Sequence, residues 1–220
     1  MLSYAVLIDA GFLKPKLWPV RKEPITSEMV EQFVIALRNH PFLKDHRLHR
    51  IYFYDAKPLL SEAKHPNGSV IEFGKTSTAT TNQALHSSLE KSPYVALRFG
   101  ELVHQGWRIK ARLLRKANAD TTFKADDLEP NVQQKGVDMR IGLDIASLTL
   151  KKQVGIIVLV TGDSDFIPAM KFARREGAQL VLVTLGHGVR EEVFQHADIV
   201  ITNDAKSYFA TAEDLSHAGG

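Results

Sequence analysis

The sequence predicts one α/β domain built on a central, mostly parallel sheet, and three observations carry that prediction. Apolar runs occur at Tyr4 to Ile8 and, unbroken, at Ile156 to Val160, and Ala178 to Thr184 reads as another buried strand, the pattern of strands buried on both faces. Between the second and third runs, Phe166, Ala169, Met170 and Ala173 fall at helical spacing, which gives a strand, helix, strand crossover of expected right hand. With 220 residues, 44% of them hydrophobic, the chain can bury a full core, and one large domain is favoured over two small ones. That domain is expected over residues 1–205, with an excursion at about 56–81 and a helix end and disordered tail at 206–220.

Taken in order, Tyr4 to Ile8 ends at Asp9, with Gly11 close behind. Asp9 is either a carboxylate delivered to the edge where open α/β sheets place their ligand crevices or an ordinary turn aspartate. Lys14 to Pro24, rich in proline and basic residues, reads as a loop. Thr26 or Ser27 then opens a helix, with Val30, Phe33, Val34 and Leu37 as its apolar stripe. His49 to Tyr54 is aromatic and β-branched, the pattern of the next strand, and it ends at Asp55, where a loop role is at least as reasonable as a chemical one. Pro58 to Thr81 shows little periodicity and is expected as a long excursion, a lid over the crevice. A helix follows to about Leu89, and Pro93 to Gly106 is ambiguous between helix and strand.

The stretch Trp107 to Lys116 is the most basic of the chain. As a strand, Trp107 to Leu113 would place Arg108, Lys110 and Arg112 on one face, with Trp107, Ile109, Ala111 and Leu113 on the other. Such a row suits a polyanionic backbone, or equally an edge strand protected by charge. Asn118 to Asn131 reads as loop. Lys135, Gly136, Val137 and Asp138 lead into a helix through Leu150, with Asp138 in its first turn, favourable to the helix dipole. Asp144 lies about 240° further around that axis, so the two acids cannot share a narrow face. Buried among Ile141, Leu143, Ile145 and Ala146 it would need a partner.

The central run Ile156 to Val160 opens onto Gly162-Asp163-Ser164-Asp165-Phe166. Two carboxylates at the lip of a buried strand repel unless a cation or donors lie between them, and Mg²⁺ suits one or two carboxylates completed by substrate phosphates. The alternative is that Ser164 or Asp165 caps the next helix while Asp163 satisfies a turn. Beyond the third run come a Gly186-His187-Gly188 turn, a short helix at Arg190 to Gln195, a strand at Asp198 to Ile201 and a helix at Asn203 to Ala212. His187 is expected as a solvated turn residue.

Composition excludes several function classes. Zero cysteines rule out a disulfide framework, thiolate metal sites and a cysteine nucleophile, and fit a reducing cytosol. No apolar stretch approaches membrane-spanning length, and Met1 to Asp9 lacks the features of a signal peptide, so a cytoplasmic protein without a membrane partner is expected. A net charge of +3 does not by itself indicate nucleic acid.

The series VLIDAG at the start, KGVDMRIGLD in the middle and LVTGDSDFIPAMKFARREG afterwards resembles the NYN domain family, of the LabA and DUF88 type, related to PIN-domain nucleases. The resemblance runs from Tyr4 to about Asn203. It implies a PIN-like, Rossmannoid three-layer sandwich whose clustered acids hold Mg²⁺ or Mn²⁺ and hydrolyse phosphodiesters, usually of RNA. Position by position it nominates Asp9, Asp138 and Asp163 as the metal cluster, with Asp165 adjoining as a catalytic acid and Asp144 as a further ligand. Many relatives carry asparagine in a D-x-x-N pattern where this chain has Phe12. Relatives of this type are often dimers, so a homodimer is an expected assembly. The reading that follows is a ribonuclease acting on single-stranded RNA, with Arg108, Lys110, Arg112 and Lys135 positioning the backbone. An RNA-binding or regulatory module of the same fold, with weak or no turnover, is the alternative, and a phosphate-receiver domain with a lysine partner to its aspartate is a third reading.

Overall fold

The computed structural model describes residues 1–118 and 120–209. The elements are, in order, β1 Ser3–Asp9, α1 Ala10–Arg21, α2 Ser27–Arg38, β2 Arg47–Lys57, β3 Glu62–Lys64, β4 Val70–Glu72, α3 Ser77–Leu89, β5 Val95–Ile109, α4 Ala111–Leu114, β6 Leu128–Lys135, α5 Val137–Leu150, β7 Ile156–Val160, α6 Ile167–Arg175, β8 Gln179–Val183, α7 Glu191–Phe194, β9 Ile199–Ile201 and α8 Ala205–Phe209. Seven strands form one sheet in the order β6-β5-β2-β1-β7-β8-β9. Every neighbouring pair is parallel except β5 and β6.

Parallel strands are sandwiched by their crossover helices, and alternate side chains of each strand divide accordingly. Tyr4, Val6, Ile8, Phe53, Val158, Val160 and Val181 pack against α1, α2, α3 and α8. Ala5, Leu7, Tyr54, Ile157, Leu159, Leu180 and Leu182 pack against α5, α6 and α7. The result is a three-layer sandwich. Chain order leaves β1 toward β2 and β5, then returns to the other side of β1 as β7. The reversal puts the topological switch point between the carboxyl ends of β1 and β7, where open sheets form their crevices.

Several expected elements are corrected. Lys14 to Pro24 is not a loop, because α1 runs through Pro15 and Pro19 as far as Arg21. Each interior proline removes a helix hydrogen bond, yet Leu13 and Leu17, at helical spacing, are fully buried under the sheet, and that burial outweighs the loss. Trp107 to Leu113 is not one strand: β5 ends at Ile109 and the chain turns into the short helix α4, so Arg108, Lys110 and Arg112 share no strand face. Pro93 to Gly106 resolves as the body of β5, a 15-residue strand. The presumed loop to Asn131 already contains the start of β6 at Leu128. The excursion after β2 folds into the β3–β4 hairpin and leans on the long β5 arm through His65 against Trp107 and Phe73 against His104. The expected helix end to Ala212 and the tail to Gly220 lie outside the described residues from 210 onward. Among the described residues no helix is long and apolar enough to cross a membrane.

Candidate active site

Asp9 is the last residue of β1 and the N-cap of α1, its extended backbone (φ −73°, ψ 105°) turning the chain into the helix. Its Oδ1 accepts the Phe12 N–H at 3.3 Å, one of the orphan donors of a helix start. Its Oδ2 accepts the Thr161 hydroxyl at 3.3 Å, and Thr161 Oγ1 also accepts the Asp163 N–H at 3.2 Å. Thr161 therefore ties the ends of β1 and β7 together. Asp163 caps the single turn Ser164–Phe166, its Oδ1 accepting the Asp165 N–H at 2.9 Å. The turn reading of Asp163 is thus correct as far as one oxygen goes. Asp138 enters from the first turn of α5, whose N-cap Gly136 has φ 77°, a left-handed backbone that favours glycine. Gly136 offers no side-chain cap to the first N–H groups of α5.

The acids feel one another. Burial first, and then the negative charge of Asp138, push the Asp9 carboxyl up to about 6 against the lowering effect of the Phe12 N–H. Asp138 is itself raised, first by partial withdrawal from water and then by Asp163 and Asp165. Among the described residues none of Asp9, Asp138, Asp163 and Asp165 has a cation as ion-pair partner. Carboxylates from three separate segments therefore lie near enough at this edge to feel one another's charge. Their chemistry fits a hard cation. Among the described residues, however, no three Asp, Glu or His side chains stand close enough to hold one ion together. The donor set suits an ion held by one or two carboxylates and completed by water and phosphate, and does not suit a closed protein cage.

Other residues at this edge carried weaker sequence signals. Gly162 is a close-approach position, since a Cβ there would lie 2.5 Å from His187 Cδ2 and 2.7 Å from Phe12 Cε2. Phe12 and His187 meet edge to face with ring centroids 5.8 Å apart. Lys16 Nζ is 2.9 Å from His187 Nδ1, and His187 itself is exposed, the solvated turn residue the sequence predicts. Gln134, near the end of β6, brings its amide toward Gly11. Lys135, the last residue of β6, is exposed two residues before the start of α5 reaches Asp138.

Two acids are engaged elsewhere. Asp144 Oδ2 accepts from the Tyr54 hydroxyl and from Arg98 Nε, both at 2.9 Å, which supplies the partners its apolar neighbours demanded. Asp55 is 5% exposed, with Oδ2 accepting from Lys14 Nζ and lying 2.7 Å from His86 Nε2, and Oδ1 accepting the Ala56 N–H at 2.9 Å. Burial would raise it, but His86 and then Lys14 outweigh that and hold its carboxyl below the usual carboxylate range. A lysine-paired aspartate thus exists, but both its oxygens are occupied and shielded, which is unfit for receiving a phosphoryl group. Of the expected basic residues, Arg108 pairs with Glu129 at 2.9 Å and Lys110 Nζ donates to the Asp126 carbonyl.

A three-layer sandwich on a seven-stranded, mostly parallel sheet is a PIN-like fold. The sequence profile described as "NYN domain" matches residues 47–204, more than half of the chain, and the protein belongs to that family. The match begins after β1, so Asp9 rests on the structure and lies outside it. An uncharacterized protein of Methanocaldococcus jannaschii is 27% identical over 116 residues, 51% of this chain and 46% of that protein; the match spans about half of the relative's length. A crystal structure of a protein of unknown function from Vibrio parahaemolyticus superposes with a TM-score of 0.52 at 11% identity, covering 94% of this chain and 95% of that one, a likeness of fold alone.

Proposed function

We propose that the protein is a metal-dependent ribonuclease of the LabA and DUF88 type, acting on single-stranded RNA at the crevice between β1 and β7. The observation that carries the reading is the convergence of Asp9, Asp138, Asp163 and Asp165 without a cation among them. Asp138 and Asp163, with Asp9, would hold Mg²⁺ or Mn²⁺, which would supply an activated water and charge neutralisation for phosphodiester hydrolysis. The chain's own contribution is preorganisation. Thr161 and the Phe12 N–H fix both oxygens of Asp9, and the start of α5 would offer its N–H groups to developing negative charge. Lys135 and Lys16 flank the crevice and would neutralise the RNA backbone. Arg108 and Lys110 already have protein partners and contribute less than the sequence suggests.

A binding module without turnover is the second reading, favoured by the lack of a three-ligand cluster among the described residues and by Phe12 in the place of asparagine. One experiment separates the two. Single-stranded RNA and DNA are incubated with the protein in Mg²⁺, in Mn²⁺ and in EDTA, and cleavage is followed on gels. The nuclease reading expects metal-dependent RNA cleavage that Asp163→Asn lowers by more than the ~10–100-fold typical of outer-sphere partners. Cleavage that survives EDTA or Asp163→Asn overturns it.

A further inference from the structure

Beside the crevice, on the same edge of the sheet, a second feature has no part in phosphodiester cleavage. The register pairs Asp9 with Tyr54, so Asp55 is the next residue along β2. There it grips the Lys14 ammonium together with His86, and Lys14 also donates to Asn82 Oδ1 at 2.9 Å. The four residues come from α1, β2 and α3, and two of them, Lys14 and Asn82, line a cavity of about 280 Å³ between α1 and α3. Trp18, one helical turn after Lys14 and 57% exposed, lines it together with Ser77, Thr78 and Thr81.

The chemistry of this lining is specific. An ammonium only donates, so Asn82 must present its carbonyl oxygen to Lys14 and turn its two amide N–H donors elsewhere. Lys14 has three N–H donors and uses two on Asp55 and Asn82. The cavity therefore offers donors. Its lysine charge is already balanced by buried Asp55, and Glu23 stands on the rim, held by Arg21 at 2.9 Å. A phosphate gains little at such a place, whereas a flat, uncharged ring with carbonyl acceptors finds donors on one side and an indole face on the other. Trp18 lies nine residues beyond Asp9 along α1, about 13.5 Å of helix rise, within reach of a short oligonucleotide seated on the acids.

We infer that the cavity between α1 and α3 is a base-binding subsite, with Trp18 as its stacking surface and the Lys14 ammonium and Asn82 amide as donors to the carbonyl groups of a base such as uracil. The inference rests on the nuclease reading only in taking the base as part of the substrate strand. Asp55 is a positioning residue that holds Lys14, is itself braced by His86, and does not touch the base.

The test uses the full chain in EDTA, so that no strand is cut. The chain has two tryptophans, and Trp107→Phe leaves Trp18 as the single fluorophore. Short oligouridylate is expected to quench Trp18 and saturate at roughly tenfold lower concentration than oligoadenylate, in keeping with what one good pair of base contacts discriminates. Trp18→Ala is expected to weaken oligouridylate binding roughly tenfold, read by anisotropy of a labelled strand. Asn82→Asp keeps an oxygen for Lys14 but exchanges donors for an acceptor, and is expected to abolish or reverse the preference for uridylate; thermal unfolding confirms that each variant is folded. Absence of quenching, or equal binding of both strands with no response to Asn82→Asp, overturns the subsite. The two readings fail separately. Mg²⁺-dependent cleavage that is indifferent to Trp18→Ala and Asn82→Asp leaves the nuclease standing and removes the subsite. Quenching with the expected Asn82→Asp response but no cleavage does the reverse.

Discussion

Asp9 ends β1 and Asp55 lies two residues before the end of the neighbouring parallel strand β2; they stand one register step apart at the same edge of the sheet and are 9% and 5% exposed. Burial raises the cost of ionising both, yet their carboxyls move in opposite directions. Asp55 received a lysine and a histidine and is held below its ordinary range. Asp9 received two hydrogen bonds and another acid, and is pushed up to about 6. The partners, and not the depth of burial, separate the structural carboxylate from the one with unsatisfied charge. An acid kept ionised by its own fold is closed to a cation, whereas one left in conflict is open to it.

The comparison is broken most forcefully at Asp55. Asp55→Ala leaves Lys14 and His86 facing a buried gap, and a loss of about 3–5 kcal/mol is expected from urea unfolding at neutral pH. Because its folded carboxyl is depressed, Asp55 contributes stability above its unfolded range and loses it as the pH falls below about 4, so the deficit of Asp55→Ala should shrink in acid.

Asp9→Asn should do the opposite. A raised acid costs nothing while protonated in both states, and its cost develops as the pH rises from about 4 to about 6. The substitution should therefore stabilise the metal-free protein at pH 8 by about 2–3 kcal/mol and hardly at all at pH 4. A destabilised Asp9→Asn at pH 8 would mean that Asp9 is satisfied in some other way. For the same reason Mg²⁺ should raise the melting temperature of the parent and not of Asp163→Asn.

Asp144 sharpens the contrast at smaller scale. Its pair with Arg98 is partly exposed, with side chains 23% and 37% accessible, so Asp144→Asn should cost about 1 kcal/mol after solvent screening and leave the Mg²⁺-dependent rise intact. Loss of that rise would restore Asp144 to the metal set. Arg108→Gln, in an exposed pair, should change stability by less than about 0.5 kcal/mol.

Much of this was legible in the sequence. Apolar runs located β1, β7 and β8 because a strand buried on both faces has no polar alternation to obscure it. Asp9 at the end of β1 and Asp163 just beyond β7 stood out by the same token. The misreadings share a cause. In α1 the prolines are local signals, while the burial of Leu13 and Leu17 that overrides them depends on a sheet assembled from distant segments. In Arg108 to Arg112 an alternating pattern fits a strand, but β5 ends at Ile109, so the shared charged face never forms. The cluster of Lys14, Asp55, Asn82 and His86 has no sequence signature, since its members lie on three elements separated by tens of residues.

By itself the sequence determined the buried strands β1, β2, β7 and β8, that the sheet is mostly parallel, and that Asp9 and Asp163 follow two of those strands, because these follow from periodicity and from local backbone chemistry. Only the tertiary structure decided which acids have partners. A carboxylate's charge state depends on groups within a few ångströms of it in space, and spacing along the chain carries no information about those.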